Sequence, residues 1–276
     1  MQPIFREVLH KGLIQEIKIN KVLVNKKSKY QKIQIFDTPI YGRVLALDGI
    51  IQITEKDEAA YSEMLVHPAI QVLKNPKEVL IIGGGDGAVA EEVLKYNFIE
   101  KIDLVDIDEE VIILSKKFFK KINKNSLIDK RVQLYYEDAF DFIANNKKKY
   151  DLIIADRPDP VGAGKSLFKY KFYKNVNNIL SANGIAIFQS GVTFLQKSET
   201  KEVMRHVKRI FKKNGVLLTV VPSYIGGFMA LVWCSNKTNM GNRKAIKRNI
   251  KLQTSYYNDE IRKGALYTPN FIKFIL

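Results

Sequence analysis

The chain has 276 residues, enough to bury a full core as one large domain or as a large domain with a small appendage. Its 45 Lys and Arg against 29 Asp and Glu give a formal net charge of +16. No apolar run reaches the ~18 residues of a membrane span, and the amino terminus lacks the apolar core of a signal peptide, so a cytoplasmic protein without a membrane partner is expected.

Charge and cysteine usage exclude more. The lysines come in short groups such as Lys116-Lys117, Lys120-Lys121 and Lys212-Lys213, without a basic helix or aromatic-basic repeats. They read as solvated surface rather than as a nucleic-acid face. The single cysteine, Cys234, lies in an apolar run and reads as a core residue, and the three scattered histidines offer no metal-site spacing.

In chain order, residues 1–53 alternate apolar and polar in short runs, at 12–19, 32–36 and 42–49, which reads as a small antiparallel β domain. Residues 55–74 are helix-like, with acids in the first turn where they complement the helix dipole. From residue 77 buried runs alternate with amphipathic stretches: Glu78 to Ile82, Lys101 to Asp106, Val132 to Tyr136, Tyr150 to Asp156 and Gly184 to Gln189. That rhythm predicts an α/β architecture for 54–276, a methyltransferase-like (Rossmann-like) doubly wound sheet. Two late runs, from Val216 and from Phe228, flank Tyr224-Ile-Gly-Gly and read as an antiparallel edge hairpin.

In such sheets ligands sit beyond the carboxyl ends of the strands. The first strand ends in Gly83-Gly-Gly-Asp-Gly87, where Gly83 and Gly85 suit close approach of a nucleotide-type cofactor. Asp86 inside that turn would repel a pyrophosphate, so an adenosyl sulfonium fits better. Asp106 and Asp108 follow the second strand, Asp138 the third, and Asp156 and Asp159 the fourth. Six carboxylates would converge on one crevice, which argues for a small cationic ligand rather than a polyanion. Asp106, about twenty residues after the glycines, stands where ribose hydroxyls are accepted, whereas Asp108 and Asp138 also suit helix caps. The segment Asp156-Arg-Pro-Asp-Pro160 lacks the aromatic residue of the motif used by amino-methylating nucleic-acid enzymes.

These segments, together with Leu47-Asp-Gly-Ile-Ile-Gln-Ile-Thr-Glu-Lys-Asp-Glu58, Tyr61-Ser-Glu-Met, Ser166-Leu-Phe, Pro222-Ser-Tyr and Tyr256-Tyr-Asn-Asp-Glu-Ile, resemble spermidine synthase, the polyamine aminopropyltransferase family, almost end to end. The resemblance implies transfer of the aminopropyl group of decarboxylated S-adenosylmethionine, as co-substrate, to a small-molecule amine, with putrescine the expected acceptor and no metal. It implies Asp156 as the base and Tyr61 as the residue orienting the attacking nitrogen, with Gln52, Asp159 and Tyr224 on the acceptor side. On the donor side it implies Asp86 for the aminopropyl ammonium, Gln31 and Asp106 for the ribose, Asp138 with the adjacent Ala139 for adenine, and the glycines Gly83 and Gly85. A homodimer or homotetramer built through the amino-terminal strands is implied by the same analogy. The alternatives are a different acceptor amine, a methyltransferase using the ordinary donor, and a basic nucleic-acid-binding module.

The chain departs from the family pattern on the acceptor side. Arg157 stands where relatives carry serine, Lys165 where they carry glutamate, and Ser62 where His or Gln is usual. An inward-facing Arg157 or Lys165 would disfavour a dicationic acceptor such as putrescine.

Overall fold

The computed structural model describes residues 3–157, 162–241, 244–246 and 248–273. The first elements are β1 (Ile4–Glu7), β2 (Gln15–Lys18), β3 (Lys21–Lys27), β4 (Lys32–Thr38), β5 (Gly42–Leu47) and β6 (Ile50–Thr54). The one small sheet expected here is two: β1 pairs with β2, and β3 to β6 form a four-stranded antiparallel meander. The last hairpin turns at Asp48-Gly49, both at positive φ, the backbone that a two-residue connection between twisted strands requires.

Helix α1 (Glu58–Ile70) is shorter than the expected 55–74. Its start is delayed because the Thr54 hydroxyl accepts the Lys56 N–H and holds the Asp57 carboxylate at 2.6 Å, which makes a turn of residues 54–57. Then follow β7 (Glu78–Gly83), α2 (Ala88–Leu94), β8 (Lys101–Val105), α3 (Glu109–Phe118), α4 (Lys120–Asn123), β9 (Val132–Tyr135), α5 (Ala139–Asn145), β10 (Tyr150–Asp156), α6 (Tyr170–Ile179), β11 (Leu180–Val192), α7 (Lys197–Ile210), β12 (Lys213–Val220), β13 (Phe228–Ser235), α8 (Asp259–Ala265) and α9 (Asn270–Lys273).

Strands β7 to β13 form one seven-stranded sheet in the order β12-β13-β11-β10-β7-β8-β9. The strands from β11 to β9 run parallel, and β13 and β12 add an antiparallel edge. Period-two alternation sorts β7 between two cores. Val79 and Ile81 pack with Met64, Val66 and Val89 on one face, and Leu80 and Ile82 with Ile153, Phe172 and Val203 on the other. The meander is tied to this body by Ile33, Ile35 and Leu45, which share a cluster with Ala88, Val111 and Phe119. Cys234 is buried and free in β13, inside the second core. No helix among the described residues is long and apolar enough to cross a membrane.

Glu63 of α1 anchors the carboxyl-terminal segment. Its carboxylate accepts the backbone N–H groups of Ser255, Tyr256 and Tyr257 at 2.7, 2.9 and 2.6 Å, so the tail segment at Tyr256 lies against the helix that carries Tyr61.

Candidate active site

The carboxyl ends of β7, β8 and β10 open into a cavity of about 290 Å³, closed on the far side by β6, α1 and the loop after β12. Parallel pairing sets Asp156 opposite Gly83. Gly83 has a φ of +76°, and a Cβ there would stand 1.9 Å from the Asp156 carbonyl oxygen, so only glycine lets the two strand ends approach. At Gly85 the constraint is the next strand's acid, because a Cβ would meet Asp106 Oδ2 at 2.6 Å.

Backbone amides orient the acids. Asp106 accepts the N–H of Gly85 at 3.1 Å and that of Asp108 at 2.9 Å, and Asp86 accepts that of Ala88 at 2.7 Å. Asp138 caps α5 by accepting the Phe140 N–H at 2.7 Å while still bordering the cavity. Asp108 does not join them, contrary to the six-acid expectation. It caps α3 and accepts the Ser28 hydroxyl and the Gln31 side-chain amide, at 2.7 and 2.9 Å, which turns it away from the opening. Asp159 lies outside the described residues.

On the opposite wall the Tyr61 hydroxyl donates to Asp156 Oδ1 at 2.7 Å. The Tyr61 and Tyr224 rings meet edge to face, with centroids 6.0 Å apart, and the Tyr224 hydroxyl donates to the Gln52 carbonyl. Gln31, Gln52, Tyr61, Gly83, Gly85, Asp86, Asp106, Asp138, Ala139, Asp156 and Tyr224 all border the one cavity.

Burial dominates the electrostatics. It pushes the carboxyls of Asp86 and Asp156 above the ordinary range, and their mutual repulsion raises Asp86 further. The Tyr61 hydrogen bond partly offsets the rise at Asp156. Burial carries Asp106 to about 6 and holds the Tyr61 phenol well above its usual value. Among the described residues none of these carboxylates has a basic side chain in ion-pair contact. The cavity is therefore an anionic hollow with a phenol beside one carboxylate, suited to cations and to proton abstraction. No group of three or more His, Cys, Asp or Glu among the described residues is arranged to hold a metal ion.

The residues at which the sequence departs from the expected family pattern behave differently from one another. Lys165 is exposed. Arg157 borders the cavity but is 3% exposed, and its guanidinium donates to the Leu167 carbonyl, to the Tyr173 hydroxyl at 2.9 Å and to the Gln189 carbonyl at 3.3 Å. It lies 3.7 Å from the centre of the Phe168 ring. Ser62 donates to the Glu58 carboxylate at 2.7 Å. Glu58 is a cavity acid that the pattern of strand ends does not reveal. Its signal was its spacing, three and four residues before Tyr61 and Ser62, which sets all three on one helical face.

Residues 58–245 match the family model described as the spermine/spermidine synthase domain, and residues 4–55 match the spermidine synthase tetramerisation domain. The chain is 39% identical over 276 residues to the polyamine aminopropyltransferase of Buchnera aphidicola subsp. Schizaphis graminum (strain Sg), covering 98% of this chain and 96% of that one. It is 40% identical over 258 residues to that of Hydrogenobaculum sp. (strain Y04AAS1), covering 94% and 91%. A crystal structure of spermidine synthase in complex with the transition state analogue AdoDATO superposes with a TM-score of 0.95 at 31% identity, covering 99% of this chain and 94% of that one. The spermidine synthase of Thermotoga maritima superposes at 0.94 with 30% identity, covering 100% and 94%.

Proposed function

The chain belongs to the polyamine aminopropyltransferase family, and from that premise we propose that it moves the aminopropyl group of decarboxylated S-adenosylmethionine to putrescine, giving spermidine and methylthioadenosine. The observation that carries this proposal is the hydrogen bond from Tyr61 to Asp156 in a cavity where Asp86 and Asp106 make no ion pair with a basic side chain among the described residues.

A primary ammonium with a pKa near ~10 leaves about one molecule in a thousand deprotonated at pH 7, so the attacking lone pair has to be freed. Asp156 takes that proton. The amine nitrogen then forms a bond to the aminopropyl carbon as the carbon–sulfur bond breaks, and the sulfonium leaves as the neutral thioether methylthioadenosine. Tyr61 holds the Oδ1 side of the base, which favours presentation of Oδ2, the oxygen nearest Gly84, to the amine. Bringing the two substrates together in one cavity supplies much of the remaining rate.

On the donor side, Asp106, fixed by two backbone amides, suits the ribose hydroxyls, with Gln31 bordering the same cavity. Asp138 and Ala139 suit the adenine, and Gly83 and Gly85 give the nucleoside its close approach. Asp86 suits the ammonium of the aminopropyl arm and would repel the carboxylate of ordinary S-adenosylmethionine. Gln52, Tyr224 and, by family position, Asp159 are assigned to the acceptor. The exposed Lys165, and an Arg157 guanidinium engaged with Leu167, Tyr173 and Gln189, favour a cationic acceptor such as putrescine over a less charged amine. Exposed Ile4 of β1, Leu13 and Ile14 just before β2, and Val22 of β3 support self-association as a homodimer or homotetramer.

The test is incubation with decarboxylated S-adenosylmethionine and a panel of amines, following methylthioadenosine. Release with putrescine at a kcat/KM at least tenfold above other amines is expected. No release with any amine would overturn the proposal, and release of S-adenosylhomocysteine from ordinary S-adenosylmethionine would redirect it to a methyltransferase.

A further inference from the structure

Helix α1 contributes more to the cavity than the Tyr61 phenol. Glu58, its first residue, borders the cavity together with Ser62, one turn on. The Ser62 side chain is 1% exposed and its hydroxyl donates to Glu58 Oε2 at 2.7 Å, so the carboxylate is held in the wall and is not free to swing to solvent. Ser62 is the shorter side chain of the pair. Its hydroxyl is occupied by Glu58, which leaves the carboxylate as the ligand-reaching group of this turn.

The surroundings of Glu58 are unfavourable to an anion. Burial pushes its carboxyl up to about 7, and Glu92, Asp86 and Glu63 raise it further against the lowering effect of Ser62. Among the described residues no basic side chain pairs with it. A carboxylate kept beside other acids, in a cavity that receives cations, is relieved when a cation arrives. Glu58 and Asp86 border the same cavity, and the charge of Asp86 acts on Glu58.

We propose that Glu58, held by Ser62, is a second carboxylate for the terminal ammonium of the aminopropyl donor, acting beside Asp86 in selecting the decarboxylated form. This rests on the donor assignment made for Asp86.

The experiment compares binding of decarboxylated S-adenosylmethionine and of methylthioadenosine, which lacks the aminopropyl arm, by calorimetry at pH 8, where Glu58 is ionised. The proteins are the parent chain, Glu58→Gln, Ser62→Ala and Asp86→Asn. Glutamine keeps the length of the side chain and an oxygen for Ser62 while removing the charge. Glu58→Gln is expected to weaken the decarboxylated donor at least tenfold and to leave methylthioadenosine within twofold, which also shows that the cavity is intact. Ser62→Ala is expected to weaken the same ligand by a smaller factor. Full donor affinity in Glu58→Gln while Asp86→Asn loses it overturns the role of Glu58 alone. Equal loss of both ligands in Glu58→Gln overturns it as well, in favour of a purely structural role. If neither Glu58→Gln nor Asp86→Asn separates the two ligands, the donor assignment fails together with this proposal.

Discussion

Replacing Asp156 by asparagine separates proton abstraction from binding. Asparagine keeps the shape of the side chain and an oxygen for the Tyr61 hydroxyl, which stands 2.7 Å from the carboxylate, so the cavity is retained while the proton acceptor is lost. A positioned base contributes about 10²–10⁴-fold, or roughly 3–5 kcal/mol of barrier, and kcat at pH 7 is expected to fall by that factor. The deficit must also depend on pH. The free fraction of an amine with a pKa near ~10 grows from about one in a thousand at pH 7 to about one in ten at pH 9, so the variant regains about a hundredfold. The parent's profile instead rises as Asp156 ionises, with a midpoint above the ordinary carboxylate range because burial raises that group. Single-turnover release of methylthioadenosine from decarboxylated S-adenosylmethionine and putrescine between pH 5 and 9 measures both profiles. A variant keeping more than a third of the parent rate at pH 7, or a deficit that stays constant to pH 9, refutes Asp156 as the base.

Tyr61→Phe removes the one hydroxyl that fixes Asp156 Oδ1 and should lower kcat about 10–100-fold with donor KM changed less than threefold; a donor KM that rises in step with the loss of kcat would contradict an acceptor-side role. Gly83→Ala combines a φ of +76° with a Cβ 1.9 Å from a backbone carbonyl, and the conformational strain alone is about 1–2 kcal/mol, so thermal unfolding should move down by many degrees; a midpoint within 2 °C of the parent would show the strand ends to be adjustable. Glu58 at about 7 and Asp106 at about 6 hold protons in the folded state that the unfolded chain releases near the ordinary values of 4.5 and 3.8, so stability from these groups declines as pH rises from about 4 to 7. A cationic donor reverses that decline, and it should raise the melting temperature more at pH 7.5 than at pH 5.5; equal shifts at the two pH values are the contrary result. Arg157→Ser strands the buried acceptors Leu167 O and Gln189 O and should cost about 2–4 kcal/mol in denaturant unfolding, without improving kcat/KM for putrescine; better use of putrescine at unchanged stability would mean that the guanidinium does face the acceptor.

The sequence by itself determined the alternation of buried strands and helices, the glycine turn with its acid, and the order of the strand-end carboxylates. Each is a local pattern whose period or turn chemistry is written in consecutive residues, and the similarity to known relatives spans the same segments. The tertiary structure decided which acids face the cavity. Asp106 and Asp108 stand two residues apart after one strand, but the helix cap, Ser28 and Gln31 draw Asp108 away while two backbone amides aim Asp106 inward. It also decided the fate of the two added cations, since no local pattern foretells that Arg157 is enclosed by Phe168, Tyr173 and Gln189 from three later elements while Lys165 meets solvent. Glu58 shows the physical reason most plainly. In the sequence it is an acid in the first turn of a helix, suited to the dipole; only the packing of α1 against the strand ends turns the same carboxylate into part of an anionic wall. Periodicity is a property of neighbours in the chain, whereas burial, and with it the charge a side chain carries, is set by residues brought close only by the fold.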